Sequence, residues 1–466
     1  MTSRMIRIKL FAILAGLCVV TAGHFAHAQV NAFVPAGVEI DTEGVLRTRL
    51  YPDRTGDLTR QRYEAAKNTL PSDVIQSSDL RKVSLNRLEK AIAAKLDSGE
   101  GLNDVMRNLA GLTKITHVFY YPETKDIVIA GPAEGFFQDL SGRWIGMETG
   151  QAVMQLEDLV VSLRAFAPEQ KSTSTIGCSI DPTQEGLANF QAAVNELAAK
   201  TQSNEIMISG NENMIVDTLR NSLGKQVVTI RGVPTDSHFG QVLVEADYRM
   251  KMIGLGLEDP GVDIPSWAEK VKPRSVAKNA LLRWYFEPNY ERISVSEDNF
   301  AMQMIGDGIK LIGADERVAS DGTRSNARRG DQASKNFTRN FTKKYDQLAE
   351  RSPVFGQLRN LMDMAIVAAF IKEMDYYGEA GWDMPLLTNE SLLATETYAT
   401  PSHVEPLVNG MWKGGQFAAP IGGGVNIQPQ RALTVDNLKV DESGNANQVK
   451  ASIKLDGLAD DQWWWD

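Results

Sequence analysis

Cysteine is almost absent: the 466 residues contain two, Cys18 and Cys178, and histidine is nearly as scarce with five. Cys18 lies in an N-terminal apolar run, so a chain that loses this run keeps one thiol and no intramolecular disulfide. Stability must then come from packing, and a chain of this length has enough surface to bury. Beyond residue 28 only His117, His238 and His403 remain. They form no i, i+4 pair and no Cys/His cluster, which excludes the usual zinc ligand sets, and no metal or cofactor is implied. Positive charge is also in deficit, with 49 Lys and Arg against 59 Asp and Glu and a formal charge of −10. That balance disfavours nucleic acid and anionic lipid as partners. One basic cluster exists, Arg324, Arg328 and Arg329, and it reads as a solvated loop. There is no P-loop, no G-x-S-x-G elbow and no H-E-x-x-H, and Gly254-Leu255-Gly256 lacks the third glycine of a dinucleotide fingerprint.

Long apolar runs are missing too, with one exception at residues 10–23. Arg4, Arg7 and Lys9 precede it, and Ala26-His27-Ala28 follows with small residues where a signal peptidase cuts. Residues 1–28 therefore read as a secretory signal peptide. The run is too short for a comfortable bilayer crossing, so no transmembrane span is expected after cleavage. Leu17 before Cys18 argues against a lipid anchor. The expected location is exported, periplasmic or extracellular.

The remaining composition, 43% apolar and 23% charged, is globular, and the length suggests several domains. Residues 29–75 are turn-rich, with strands at 38–50 around a turn at 42–44. Residues 76–256 read as a mixed α/β domain. It has a helix at 84–96 and another at 103–112. A hairpin at 115–130 and a helix at 153–166 follow. Strand–helix passages then begin at 173, 205 and 225, the last ending in a long helix from 237 to 255. Such alternation favours a mixed, partly parallel sheet with helices packed on it. Residues 257–276 read as a Pro-rich linker. Residues 277–430 read as an α+β unit with four strands, two of them joined at 306–308, and a helical pair at 333–350 and 354–377. Residues 431–466 read as a closing hairpin with an aromatic tail.

Three stretches carry a resemblance: residues 118–136 (VFYYPETKDIVIAGPAEGF), 176–186 (IGCSIDPTQEG) and 230–258 (IRGVPTDSHFGQVLVEADYRMKMIGLGLE). Together they resemble a bacterial family of exported proteins carrying a domain of unknown function. The resemblance implies export and a shared architecture over most of the mature chain, and it transfers no site.

Cys178 shares strand parity with Ile176 and Ile180, so it is expected to be a buried, inert thiol. Glu245/Arg249 and Asp247/Lys251 are spaced i, i+4 and read as a charged helix flank. His238 is the histidine of most interest, placed at a helix start that favours its neutral form as a base. If the strands ending near 180 and 231 are neighbours in a parallel sheet, Asp181, Thr183, Asp236, Ser237 and His238 converge at their C-terminal ends. The bland alternative makes Asp181 and Asp236 or Ser237 helix caps. Two functions follow. The first is a non-catalytic envelope or extracellular binding or structural protein, and the missing catalytic motifs favour it. The second is a hydrolase at the loops around Asp236, Ser237 and His238. Whether His238 meets an acidic partner in a pocket discriminates between them. Trp463, Trp464 and Trp465 at the tail suggest a docking peptide for an envelope or extracellular partner, or a tail folded onto its own chain.

Overall fold

The computed structural model describes residues 36–466 apart from 273–276, 278, 307, 329 and 409–418. The expected signal peptide, Arg329 of the basic cluster and the centre of the 306–308 turn lie outside the described residues.

The valine- and isoleucine-rich segments supply the middle of a ten-stranded sheet. Ile176–Asp181 lies between Gln226–Arg231 and Ile421–Ile427, and the latter pairs with Ala280–Pro288. The hairpin Ala36–Ile40/Val45–Leu50 closes one side through His403–Val404. Most pairs are antiparallel, but Ala280–Pro288 runs parallel to Ile421–Ile427, and His403–Val404 parallel to Val45–Leu50. A seven-stranded sheet contains the expected hairpin His117–Tyr121/Asp126–Ala133 together with Ser78–Ser84, Ile293–Val295 and Ala301–Met304. The architecture is thus mixed α/β, with some parallel pairs and many helices.

Several expectations are corrected by these sheets. The ten-stranded sheet draws strands from both sides of residues 257–276, so the expected linker does not divide it. Ala301–Met304 and Ile309–Gly313 do not form a hairpin, because the first pairs with Ile293–Val295 and His117–Tyr121 and the second with Ala280–Pro288. The glycine-rich stretch at 422–424 lies in a central strand, Ile421–Ile427. A Cβ at Gly423, where φ is 136°, would come 1.8 Å from the Trp284 carbonyl oxygen, so glycine admits the close approach. Residues 205–209 form no strand. The helix Asp57–Thr69 buries no residue, which is why no apolar stripe announces it. The closing hairpin is replaced by Lys439–Val440 and a helix, Asn445–Ser452, whose Ala446 N–H donates to the Asp441 carboxylate at 2.7 Å.

Two helices form the centre. Pro353–Glu373 is long and apolar enough to cross a membrane by length and composition, yet its apolar window is entirely buried. It packs against Leu156–Ala165 and His238–Gly254. His238–Gly254 lies between that helix and the sheet, and its apolar face (Phe239, Val242, Leu243, Ala246, Met250, Ile253) is buried. So is the expected charged flank. With layers on both sides no solvent face remains, and the charges survive by pairing: Lys251 with Asp247 at 2.7 Å, and Arg249 with Glu245 at 3.5 Å and Glu258 at 2.7 Å. Burial pushes the Asp247 carboxyl up to about 6 despite Lys251.

Cys178 is buried in the sheet, and burial pushes its thiol well above the ordinary cysteine range. Native protein should therefore resist a thiol-labelling reagent and react fully after unfolding. Cys178→Ser should lower unfolding free energy by roughly 1–3 kcal/mol, since its hydroxyl enters an apolar site. Rapid labelling of the native state would contradict this placement.

The aromatic tail packs on its own chain. Trp464–Trp465 pairs antiparallel with Ser78–Ser84 at the sheet edge. Trp463 and Trp465 are buried, and the Trp464 ring lies 4.7 Å from the Arg81 guanidinium carbon. Arg81 is fully buried and donates from Nε and Nη2 to the two Asp466 carboxylate oxygens, each at 2.9 Å. Its remaining donors reach the carbonyls of Asp73, Val74, Gln76 and Ala110. Consecutive indoles cannot share one face, and here the central ring stacks on the arginine that the terminal aspartate holds.

Candidate functional site

The loop after Gln226–Arg231 ends at Ser237, which caps His238–Gly254: its Oγ accepts from Gly240 N–H at 3.1 Å and donates to the Pro234 carbonyl at 2.7 Å. With its proton given to Pro234, one lone pair taken by Gly240 N–H and the side chain buried, Ser237 serves as the helix cap. Asp236 is exposed, and its backbone carbonyl accepts from Tyr398 N–H at 2.7 Å. Asp181 does not join them. Ile176–Asp181 and Gln226–Arg231 are neighbours but antiparallel, with Gly177 opposite Arg231 and Asp181 opposite Val227. Their C-terminal ends therefore lie at opposite edges of the sheet. Asp181 instead pairs with Arg283 at 2.9 Å, and Thr183 rather than Asp181 caps the following helix.

His238 does meet an acid. Its Nδ1 lies 2.8 Å from Oδ2 of Asp158, in the first turn of Leu156–Ala165. A carboxylate is favoured at that helix start, and the helix places it against the start of another. Burial alone would lower the imidazole pKa, but the Asp158 charge and hydrogen bond outweigh it, and His238 titrates above its ordinary 6.5. The helix-start effect expected to keep the ring neutral is thus overridden by a carboxylate in direct contact.

The neighbours fix the ring's proton. Arg143 Nε–H donates to Gln357 Oε1 at 3.0 Å, which turns the Gln357 amide nitrogen toward His238 Nε2, 3.3 Å away. The Gln155 amide nitrogen approaches the same atom at 3.4 Å. An amide nitrogen is a donor only, so Nε2 is the acceptor and Nδ1 carries the proton given to Asp158. Arg143 is itself held in the turn between Phe136–Gln138 and Trp144–Gly146. There Asp139 accepts from the backbone of Ser141 and Arg143, and Glu245 pairs with the guanidinium.

Next to Asp158, Glu157 accepts from the Tyr398 hydroxyl at 2.7 Å, and the Tyr398 ring centroid is 5.5 Å from that of His238. Burial, and then the Asp158 charge, push the Glu157 carboxyl up to about 7, against the opposing pull of His238 and Tyr398. Glu157, His238 and Tyr398 line a cavity of about 590 Å³ whose wall also includes Arg143, Glu245 and Gln357. Among the described residues no group of three or more His, Cys, Asp or Glu is arranged to hold a metal ion.

A glutamate whose folded pKa is raised loses stability as pH climbs from its unfolded value near 4.5 to about 7. That rise corresponds to roughly 3 kcal/mol at most. Glu157→Gln should accordingly be more stable than wild type at pH 8, by up to this amount, and no more stable at pH 4. Urea unfolding at the two pH values checks it, and an equal effect at both would contradict the buried, neutral-leaning carboxyl.

Of the candidate site residues Asp181, Thr183, Asp236, Ser237 and His238, His238 alone lines the cavity. Asp158, Glu157, Arg143, Gln357 and Tyr398 carry no local motif that could have announced them. Glu157 and Asp158 look like ordinary first-turn acids, and 80 residues separate Asp158 from His238.

No curated protein and no solved structure matches the chain. A family model does match, over residues 178–267, a stretch that contains Ser237, His238 and Glu245 but not Asp158, Arg143, Gln357 or Tyr398. Residues 178–267 match the model of the family described as "Protein of unknown function (DUF1598)".

Proposed function

We propose that this protein is a hydrolase acting in the 590 Å³ cavity, with His238 as general base and Glu157 as general acid. The observation that carries this reading is the buried Asp158–His238 pair with the Nε2 lone pair accepting at the cavity wall. Asp158 fixes the tautomer and stabilises the imidazolium that forms when Nε2 takes a proton from water. The resulting hydroxide attacks the substrate's electrophilic centre. Glu157, whose carboxyl holds its proton up to about pH 7, returns a proton to the leaving group. Water is the nucleophile because Ser237 is committed to capping.

The second reading is a non-catalytic binding protein of the envelope or extracellular space. It is favoured by the two glutamine amides that already occupy His238 Nε2. In either case the chain acts after export, on the pattern of residues 1–28, and the mature protein should begin at Gln29.

A panel of p-nitrophenyl esters, amides and glycosides, assayed with wild type and His238→Gln, separates the readings. Hydrolysis of one class that the variant loses supports the enzyme. Equal rates for the two proteins on every member would overturn it and leave the binding protein.

A further inference from the structure

The cavity has two unlike walls. One is built on Leu156–Ala165 and His238–Gly254, core helices that carry Glu157 and His238. The other is built on Asp104–Arg107, a helix of 4 residues, and Trp144–Gly146, a strand of 3 residues in a two-stranded sheet. Elements this short do not hold themselves, since a single helical turn is unfavourable alone and an isolated strand pair is marginal. Their placement must come from what lies behind them.

Behind them is a small buried apolar cluster, Val74, Phe136 and Val153. Val105 of the short helix and Trp144 of the short strand pack against it, and so does Trp464 of the C-terminal tail. The Phe136 and Trp144 rings meet edge to face with centroids 5.6 Å apart. Arg81, stacked on Trp464, acts on the same side. It donates to the Val74 carbonyl at 3.2 Å and to the Ala110 carbonyl at 2.7 Å, just past the short helix. Asp466 holds that arginine in turn. The next indole belongs elsewhere: Trp465 sits with Phe119, Tyr121, Ala446 and Ile453 in a separate cluster, none of whose members lines the cavity.

We infer that Trp464 is a positioning residue for the cavity: its indole, clamped by Arg81 and Asp466, holds Asp104–Arg107 and Trp144 at the spacing a substrate needs. Trp464 does not itself line the cavity. It therefore acts on binding and not on proton transfer at His238, a division that rests on the hydrolase reading.

Three variants of the full mature chain test it: Trp464→Ala, Trp464→Phe and Trp465→Ala. Hydrogen–deuterium exchange is read at Arg107 and Asn108, whose N–H groups donate to the Asn103 and Asp104 carbonyls, and at Val153, whose N–H donates to the Trp144 carbonyl. Trp464→Ala should speed exchange there about tenfold or more while the amides of His238–Gly254 keep wild-type rates, because the opening is local. Trp464→Phe keeps an aromatic ring and should restore most of the protection. Trp465→Ala removes a ring of the same size and should leave the three amides as in wild type. On a p-nitrophenyl substrate that wild type hydrolyses, Trp464→Ala should raise KM about tenfold with kcat within about twofold. If Trp464→Ala fails to fold, Asp466→Asn keeps the test valid, since loosening the clamp should speed the same amides by less. Unchanged exchange in the folded Trp464 or Asp466 variant, equal acceleration in Trp465→Ala, or a fall in kcat at constant KM overturns the inference. Faster exchange confined to the wall, in a protein that hydrolyses no substrate, supports the role of Trp464 and removes the hydrolase alone.

Discussion

Asp158→Asn should abolish most of the hydrolytic activity, lowering kcat about 10³–10⁴-fold, while leaving the fold intact. The carboxylate accepts the His238 Nδ1 proton at 2.8 Å and so keeps the Nε2 lone pair toward the cavity. An asparagine amide can donate to Nδ1 instead, which moves the ring proton to Nε2 and removes the base. Losses of this size follow when a histidine base is held in the wrong tautomer. The histidine pKa should fall as well, because the charge that offsets burial is gone. A variant that turns over like wild type would show that Asp158 only packs. The rate must be read beside the melting curve, since a 4% exposed carboxylate is also part of the core.

Deleting residues 460–466 should lower unfolding free energy by roughly 3–5 kcal/mol. The deletion removes the Trp464–Trp465 strand from its pairing with Ser78–Ser84 and strips Arg81 of its carboxylate partner. The guanidinium stays fully buried with four carbonyls as its remaining acceptors. Asp466→Asn alone should cost less, about 1 kcal/mol, because Asp466 is 40% exposed and its share of the pair is screened. Urea unfolding of the two variants measures both losses. A deletion that leaves stability unchanged but alters retention of the protein in an envelope fraction would restore the docking peptide.

Local pattern made much of the fold legible. The helices Leu85–Asp97, Leu156–Ala165 and His238–Gly254 were readable from apolar spacing, and the hairpin at His117–Ala133 from two apolar runs around a polar turn. Strand parity placed Cys178 inside. Long-range pairing was not legible. Ile421–Ile427 enters the sheet through three glycines, residues that ordinarily mark loops, because only a bare backbone fits between Trp284 and Cys178. The direction of Gln226–Arg231 relative to Ile176–Asp181 decided whether Asp181 reached His238, and β–α alternation suggested the wrong one. The helix carrying Glu245, Asp247, Arg249 and Lys251 looked half-solvated because i, i+4 charge pairs are equally at home on a surface. It is buried because Pro353–Glu373, distant in sequence, covers it.

The candidate site shows the same division. His238 was identifiable as a helix-start histidine after a strand-end loop. Its partners come from four other segments, at 143, 155–158, 357 and 398, and none stands near it in sequence. Asp236 and Ser237 were attractive because they were adjacent, yet adjacency at a helix start is what capping requires.

Nitrogen-15 NMR of the His238 imidazole across pH 5 to 9 tests the central claim most directly. The expected spectrum has a protonated Nδ1 and a bare Nε2 at high pH, with a midpoint above 6.5 that drops in Asp158→Asn. A proton on Nε2 in the neutral ring, or a midpoint below 6.5 that Asp158→Asn leaves unmoved, would contradict the Asp158–His238 base and the function built on it.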